Sequence, residues 1–404
     1  MKGLRKKSKK TTKEDKDGRK KDIFNLRKEV KYMKKLNIIK YFKEMEDYRQ
    51  QWKIDHQLIE IIVMTVAAVL CGAENYPQIH EFAKMKEKYF RKFLKLENGI
   101  PSQDTFERLF RYTNPKEFEK SFLNLINDMA GIKKGIRPID GKALRGANDY
   151  GENPLYIVSA WAKESGIVLA SKKVEDKSNE ITAIPEVLKL IDIEGSIVTL
   201  DAMGCQEEIV KQIVESKGEY VIGLKGNQGE TKEEVEDFYH ACLELGFGEI
   251  KYDYHETIEK SHGRIEQRRY YITEDLNYIT TKAKWKGLKS VGMVHRIIER
   301  NGKTSEEKRY HISSIEADAK KYGEAVRGHW SIENNFNWIM DVAFKEDKSR
   351  IRKDNGAENM AIIRRFVMNL LKKETKIKGS YKTKLKALSW DTDYALSLIF
   401  DPSS

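Results

Sequence analysis

The chain has 404 residues, enough for two or three domains, and its formal net charge of +12 with a pI of about 9.2 favours a polyanionic partner. Charge alone does not separate DNA, RNA and an acidic membrane surface. The three cysteines are far apart, which excludes a zinc knuckle, a CxxC redox motif and a disulfide framework, and predicts a reducing, intracellular compartment.

The first third of the sequence is basic and then helical. Residues 1–35 are dominated by lysine, which predicts a flexible, solvated tail that can add phosphate contacts. Residues 36–130 predict a helical N-terminal domain, with Asn114 and Pro115 starting its last helix. Its longest apolar run, LIEIIVMTVAAVLCGA, is interrupted by Glu60 and is short for a bilayer. We therefore expect a buried helix and no membrane partner, with a membrane helix as the less favoured alternative.

After Gly135 the pattern changes from helical to mixed. The order strand, hairpin, helix, strand, helix, strand predicts an α/β domain over residues 131–375 with parallel strands at its centre. Four strand-like segments between about 248 and 315 predict a β-rich insertion, and helices follow it. Residues 376–404 are assigned to a C-terminal extension.

Three acidic residues form a candidate site. Asp140 in RPIDGKALRGAN and Asp201 in SIVTLDAMG each end an apolar strand in this interpretation. If the two strands are parallel neighbours, both carboxylates lie at the carboxyl edge of the sheet. Glu333 lies on a late helix. Each acid alone is better explained as a solvated side chain or a cap, but the set of three is not.

The late helix has two faces in its sequence pattern. A buried stripe is predicted from Ile332, Phe336, Ile339 and Ala343. A polar face that presents Glu333 is predicted from residues spaced by four: His329, Glu333, Asn337 and Asp341. Carboxylates close together require cations between them, and they suit Mg²⁺ or Mn²⁺.

Several motifs together resemble the ISAs1-type insertion-sequence transposases, also called H-repeat-associated proteins, which are relatives of the IS4 group. The motifs are DGKALRGA, LDAMGCQ, GLKGNQ, RGHWSIENNFNWIMDVAFKEDKSRIR and NGAENMAIIRRFVMNLLK, preceded by AVLCGAENYPQIHEFA and LENGIPSQDTFERLF. They occur in order from about residue 40 to 372.

The resemblance implies an RNase H-like catalytic domain with a β-rich insertion, preceded by a helical N-terminal domain. It places an Asp-Asp-Glu triad on Asp140, Asp201 and Glu333, which would bind Mg²⁺ or Mn²⁺, with two ions expected. The chain departs from the IS4-group signature Y-x2-R-x3-E-x6-K, because Val326, His329 and Met340 stand where Tyr, Arg and Lys are expected. The phosphate contacts of that Arg and Lys would have to come from elsewhere, with Arg327, Lys345, Arg350 and Arg352 as candidates.

Further DNA contacts are expected around the triad. Lys142, Arg145 and Lys225 follow the strand ends, although each alone also fits an ordinary surface cation. Trp330 and Trp338 could stack on an extruded base, with core packing as the alternative for at least one of them. The full set of predicted DNA-binding residues is Lys142, Arg145, Lys225, Asn227, Arg327, His329, Trp330, Asn337, Arg350 and Arg352.

The expected function is that of a DNA transposase in the bacterial cytoplasm, associated with the nucleoid and acting as a homodimer. Its DNA partners would be the terminal inverted repeats of the element and the target. Metal-dependent hydrolysis would free a 3′-hydroxyl that then attacks the target. Two alternatives stay open: an inactive remnant that only binds DNA, and a stand-alone nuclease. A dinucleotide-binding dehydrogenase is excluded, because no GxGxxG follows a strand.

Overall fold

The computed structural model describes residues 38–42, 45–130, 134–147, 155–174, 180–261 and 263–400. The predicted basic tail, residues 1–35, lies outside this part of the chain. Among the described residues no helix has the length and apolar character needed to cross a membrane.

Helices form the first part of the described chain, as predicted. They are α1 (Ile38–Phe42), α2 (Leu58–Leu70), α3 (Tyr76–Met85), α4 (Glu87–Phe90), α5 (Gln103–Tyr112) and α6 (Pro115–Ala130). The apolar run is the buried helix α2. Glu60, which interrupts it, is 5% exposed and accepts hydrogen bonds from the backbone N–H of Gln57 and Leu96, at 3.1 and 2.8 Å. These two donors compensate the burial of its charge.

A single mixed sheet follows these helices. Its strands are β1 (Ile136–Leu144), β2 (Leu155–Ala162), β3 (Ile167–Val174), β4 (Ile197–Leu200), β5 (Glu219–Gly223), β6 (Tyr252–Ser261), β7 (Arg264–Thr273), β8 (Ser290–Arg300) and β9 (Lys303–Ser313). Their order is β3-β2-β1-β4-β5-β9-β8-β7-β6. Strands β1 to β3 are antiparallel, while β4 and β5 run parallel to β1. This is the expected RNase H-like arrangement, and the predicted β-rich insertion extends the same sheet through antiparallel pairing of β9 with β5.

The remaining helices cover both faces of the sheet or join the first helices. They are α7 (Glu180–Leu190), α8 (Glu207–Glu215), α9 (Gly229–Leu245), α10 (Ala319–Ser331), α11 (Trp338–Val342), α12 (Gly356–Lys373), α13 (Tyr381–Trp390) and α14 (Thr392–Ser397). Apolar residues of α7, α8 and α9 pack on one face, and those of α10 pack on the other. The fold is therefore a layered α/β structure in which helices cover both faces of the central strands of the sheet, while β6 at its edge is largely exposed.

The end of the chain packs against its beginning. The backbone N–H of Ile38 donates to the carbonyl of Ile399 at 3.3 Å, and the rings of Phe93 and Phe400 stack with centroids 4.6 Å apart. Helix α12 also contributes to this hydrophobic cluster. The division of the chain into domains remains a prediction, because one core unites helices assigned to three of the predicted units.

Candidate active site

The two aspartates lie on neighbouring parallel strands in matching positions. Strands β1 and β4 pair in the register Ile136–Ile197 to Pro138–Thr199. Continued by two residues, this register would place Asp140 of β1 level with Asp201, the residue that follows β4. Pairing between the strands stops at Pro138, and β1 then pairs only with β2. The crevice that opens there is where α/β sheets place their sites.

The prediction that Asp140 ends its strand is wrong, because β1 continues for four more residues to Leu144. The strand persists because β2 supplies hydrogen-bonding partners on its other side. Asp201 does follow directly after β4. Its Oδ1 accepts hydrogen bonds from the backbone N–H of Met203 at 2.9 Å and Gly204 at 3.4 Å, which fixes the carboxylate.

The helix that carries Glu333 lies across these two strands. His329 Nδ1 lies 3.2 Å from Thr199 Oγ1, Asn337 Nδ2 donates to Asp140 Oδ2 at 3.1 Å, and Asp341 pairs with Lys142. These partners put the predicted polar face of the helix over the aspartates. Glu333 lies between His329 and Asn337 on that face and is exposed.

The helix changes its winding at Glu333. Residues Ile332–Asn337 form a π-helical turn between α10 and α11. Such turns occur often at functional sites. The wider turn shifts the predicted buried stripe: Phe336 is followed by fully buried Met340, while Ile339 and Ala343 are only partly buried.

Negative charge accumulates at Asp140. Burial first, and then the charges of Glu333, Asp201 and Glu180, raise the pKa of its carboxyl to about 7, against a lowering hydrogen bond from the Gly141 backbone. The three predicted acids therefore lie close enough to act on one another. Carboxylates that lie this close to one another are stabilised by a bound cation.

Glu180 is a fourth acid that the sequence pattern did not single out. It is buried at the start of α7, and its carboxylate packs so closely on Gly141 that a side chain there would collide with it. The glycine in the DGK motif was a usable signal, since a glycine within a strand often marks a close approach. The position of Glu180 itself had no comparable signal.

Lys142 was predicted as a phosphate contact after a strand end, but the structure buries it within β1. Its Nζ pairs with Asp341 and lies 3.5 Å from Glu346 and 3.8 Å from Asp347. Glu346 is fully buried and also binds Arg365 at 2.8 Å. Burial alone raises the pKa of Glu346, but the nearby cations outweigh it and lower the pKa. This network ties β1 to the glutamate helix and to α12.

Other predicted contacts are engaged within the protein. Asn227 Nδ2 donates to the carbonyl of Ala202 at 2.6 Å, and Arg327 pairs with Glu259 of β6. His329 is partly buried, and burial lowers the pKa of its ring, so the neutral imidazole is favoured.

Arginines surround one of the two predicted tryptophans. Arg296 and Arg309 lie 5.1 and 5.3 Å from the Trp330 ring, so Trp330 packs against cations. Trp338 is 59% exposed.

Lys225 and Arg145 are exposed cations that follow two strands of the site. Lys225 follows β5 and acts electrostatically on His329, and Arg145 follows β1. Arg350 is also exposed, whereas Arg352 Nε donates to the carbonyl of Gly146 at 3.0 Å. The structure thus gathers Lys225 near the acids and assigns Arg352 a role within the protein.

The donor set fits a hard divalent cation. Asp140, Asp201 and Glu333 supply only carboxylate oxygens, and the pKa of Asp140 is raised by its burial and by the charges of the neighbouring acids. Across the described ranges, however, no three acidic, histidine or cysteine side chains already converge as a cluster that could hold a metal ion. Asn337 occupies Oδ2 of Asp140 and backbone N–H groups occupy Oδ1 of Asp201.

Comparison with known proteins agrees with this geometry. The family described as "Transposase DDE domain" matches residues 132–370, and the family described as "DDE_Tnp_1-associated" matches residues 39–126. "Putative transposase YncI" of Escherichia coli O157:H7 is 37% identical over 89% of this chain and 93% of its own length. "H repeat-associated putative transposase YhhI" of Escherichia coli strain K12 is 34% identical over 90% of this chain and 97% of its own.

A solved piggyBac transposase synaptic complex with hairpin DNA aligns over 88% of this chain and 76% of its own length, at 12% sequence identity and a TM-score of 0.40. The expected resemblance to H-repeat-associated transposases is confirmed, while the ISAs1 subgroup remains a prediction. The chain belongs to the DDE transposase family.

Proposed function

We propose that this transposase cleaves DNA at the ends of a mobile element and joins the freed 3′-hydroxyl to target DNA. One observation carries the proposal: Asp140 and Asp201 each lie two residues beyond the last paired residues of neighbouring parallel strands, their charges interact, and the helix that bears Glu333 contacts both strands. Three carboxylates in a crevice between strands match the charge requirements of phosphoryl transfer on DNA.

Asp140, Asp201 and Glu333 are the residues that would hold Mg²⁺ or Mn²⁺, with two ions proposed. When bound, the metal would supply charge neutralisation at the scissile phosphate and an acidified water. The DDE family generally uses divalent metals, and the donor set in this chain suits them.

The chain's own groups would position the acids and the phosphate. Asn337 orients Asp140 through its amide, and the N–H groups after β4 orient Asp201. Lys225 and Arg145 are exposed cations beside the crevice, suited to contacts with flanking phosphates. Lys142 would hold β1 and the glutamate helix together rather than touch DNA.

A strand-transfer assay tests the proposal against its alternatives. The substrate is a duplex that carries the element end, offered together with a target plasmid. We expect both nicking at the end and joined products. Cleavage without joining would identify a nuclease, and specific binding without either reaction would identify an inactive binding protein. The inverted repeats that flank the reading frame would supply the substrate sequence.

Assembly belongs to the same proposal. We propose that the protein acts in the bacterial cytoplasm as a homodimer that binds two element ends. Size measurement of the complex with end DNA, at one and two equivalents of duplex, tests the stoichiometry.

A further inference from the structure

A cleft of about 520 Å³ lies beside the site, between the N-terminal helices and the segment that follows the glutamate helix. Residues at the start of α3 and along α5 form one wall, and residues 345–353 form the other. Six cations line it: Arg111, Lys345, Lys348, Arg350, Arg352 and Lys353. Glu74 and Glu107 are the acids of this lining, so the lining carries a formal charge of +4, six minus two.

Three of these six cations have no acidic partner in the part of the chain that the structure describes. Lys345 pairs with Glu74 at 2.7 Å and Arg111 pairs with Asp354 at 2.7 Å. Lys348, Arg350 and Lys353 are exposed and make no ion pair with any residue that the structure describes. Like charges held this close repel one another, so the cluster is stabilised when an anion binds it.

The segment that carries these cations is held in a fixed shape. Lys345 has the left-handed backbone conformation, with φ of 51°. Arg364, a buried residue of α12, donates a hydrogen bond to Ser349 Oγ at 2.9 Å. Arg352 donates a hydrogen bond to the carbonyl of Gly146. A side chain at Gly146 would lie 2.6 Å from the carbonyl oxygen of Ser349, so the segment and the end of β1 touch through their backbones.

We infer that this cleft binds the sugar–phosphate backbone of DNA that flanks the cleaved bond. The identity of the partner rests on the proposed function, since a protein that cuts DNA at the three acids must hold duplex on either side of them. Lys348, Arg350 and Lys353 would contact phosphates without reading sequence. A DNA strand in the cleft would contact both the N-terminal helices and the segment of residues 345–353.

The distance to the acids sets the position of this contact. Gly146 is six residues beyond Asp140, so the two lie at most ~20 Å apart in extended chain. At about 3.4 Å per base pair, this span corresponds to roughly six base pairs. The cleft would therefore begin to engage DNA within roughly six base pairs of the cut, about half a helical turn.

The test compares two triple variants that remove the same charge. One is Lys348→Gln, Arg350→Gln and Lys353→Gln. The control is Lys189→Gln, Lys211→Gln and Lys289→Gln, three exposed lysines at other places on the sheet domain. Affinity for an element-end duplex is measured from 50 to 200 mM salt as a log–log plot. Thermal unfolding confirms that both variants keep the wild-type fold.

We expect the cleft variant to flatten the salt slope by roughly 0.9 for each phosphate that its side chains no longer neutralise, up to about 2.7, and the control to keep the wild-type slope. Equal slopes in all three proteins, or equal flattening in both variants, would overturn the inference. A duplex that ends at the cut, and so lacks the flanking base pairs, should erase the difference between the cleft variant and wild type.

The result of the binding experiment can be interpreted independently of DNA cleavage. Binding slopes need no cleavage, so a wild-type protein that fails to cut would contradict the proposed function and leave the cleft result standing. Conversely, wild-type cleavage with unchanged slopes in the cleft variant would contradict the cleft alone.

Discussion

Asn337 donates a hydrogen bond from its amide nitrogen to Oδ2 of Asp140, 3.1 Å away and 197 residues earlier in the chain. This contact links the helix of Glu333 to the strand of Asp140. An amide suits this place, because a carboxylate there would add a further negative charge to a site where burial and three acids already raise the pKa of Asp140 to about 7.

The first prediction concerns this amide. Asn337→Ala should lower the rate of DNA cleavage by roughly 10- to 100-fold, the usual cost of removing a group that orients a metal ligand. Asn337→Asp should cost more, because like charges would then face each other. Single-turnover cleavage at several Mg²⁺ concentrations measures both. An aspartate variant as active as wild type would show that the contact does not position Asp140.

The second prediction concerns the three acids. Asp140→Asn, Asp201→Asn and Glu333→Gln should each abolish strand cleavage and leave DNA affinity within a few-fold, because the amides keep shape but lose anionic oxygen. Asp237→Asn, at an exposed position of α9, is the matched control and should cleave normally. Any one of the three variants that cuts at the wild-type rate would remove that residue from the triad.

The third prediction concerns the metal. Cleavage should require Mg²⁺ or Mn²⁺ and should stop on addition of EDTA, since the site offers only carboxylate donors. Excess Mg²⁺ should restore the activity. Full cleavage in the presence of chelator would contradict a metal-dependent mechanism.

The fourth prediction separates structural from DNA-binding cations. Lys142→Met should destabilise the fold by about 3–5 kcal/mol, because it leaves buried carboxylates without their cation, and it should not change the salt dependence of DNA binding. Lys225→Met should do the reverse: little loss of stability, and a salt slope flatter by roughly 0.9. Chemical denaturation and the salt series measure the two effects. A stable Lys142→Met protein with weakened DNA binding would reverse our assignment.

The fifth prediction concerns pH and stability. Burial raises the pKa of Glu119 on α6 from 4.5 to about 7, so folding favours its protonated form. The folded state then holds a proton that the unfolded state releases, and stability falls as the pH rises from about 4.5 through about 7. Glu119→Gln avoids this loss and should be more stable than wild type above pH 7, by on the order of 3 kcal/mol.

Below pH 4.5 the two proteins should be equally stable, since both side chains are then neutral. Glu117→Gln, at an exposed position of the same helix, is the control and should not reproduce the pH-dependent gain. Denaturant titrations at pH 4, 6 and 8 provide the comparison. A constant difference at all three pH values would contradict the assignment to Glu119.

The sequence alone was sufficient to predict the order of helices and strands and to indicate the two aspartates as candidates. Strand and helix periodicities are local, so the meander of β2 and β3, the buried α2 and the strands β4 and β5 could be predicted from residues close together in the chain. Asp140 and Asp201 were singled out as candidates because each follows an apolar run of residues that is buried in the structure, although β1 continues past Asp140. Matching motifs then identified the family, because they recur in order over most of the chain.

Only the tertiary structure decided which partner each polar side chain meets. The exit of β1 from its pairing with β4 at Pro138, the π-helical turn at Glu333 and the burial of Lys142 among Asp341, Glu346 and Asp347 depend on contacts up to about two hundred residues apart in sequence. No local periodicity encodes such contacts, because a lysine after an aspartate reads the same whether it faces solvent or a buried acid. The sequence thus determined the fold class and indicated the candidate acids, and packing between distant elements determined which of the predicted cations are exposed.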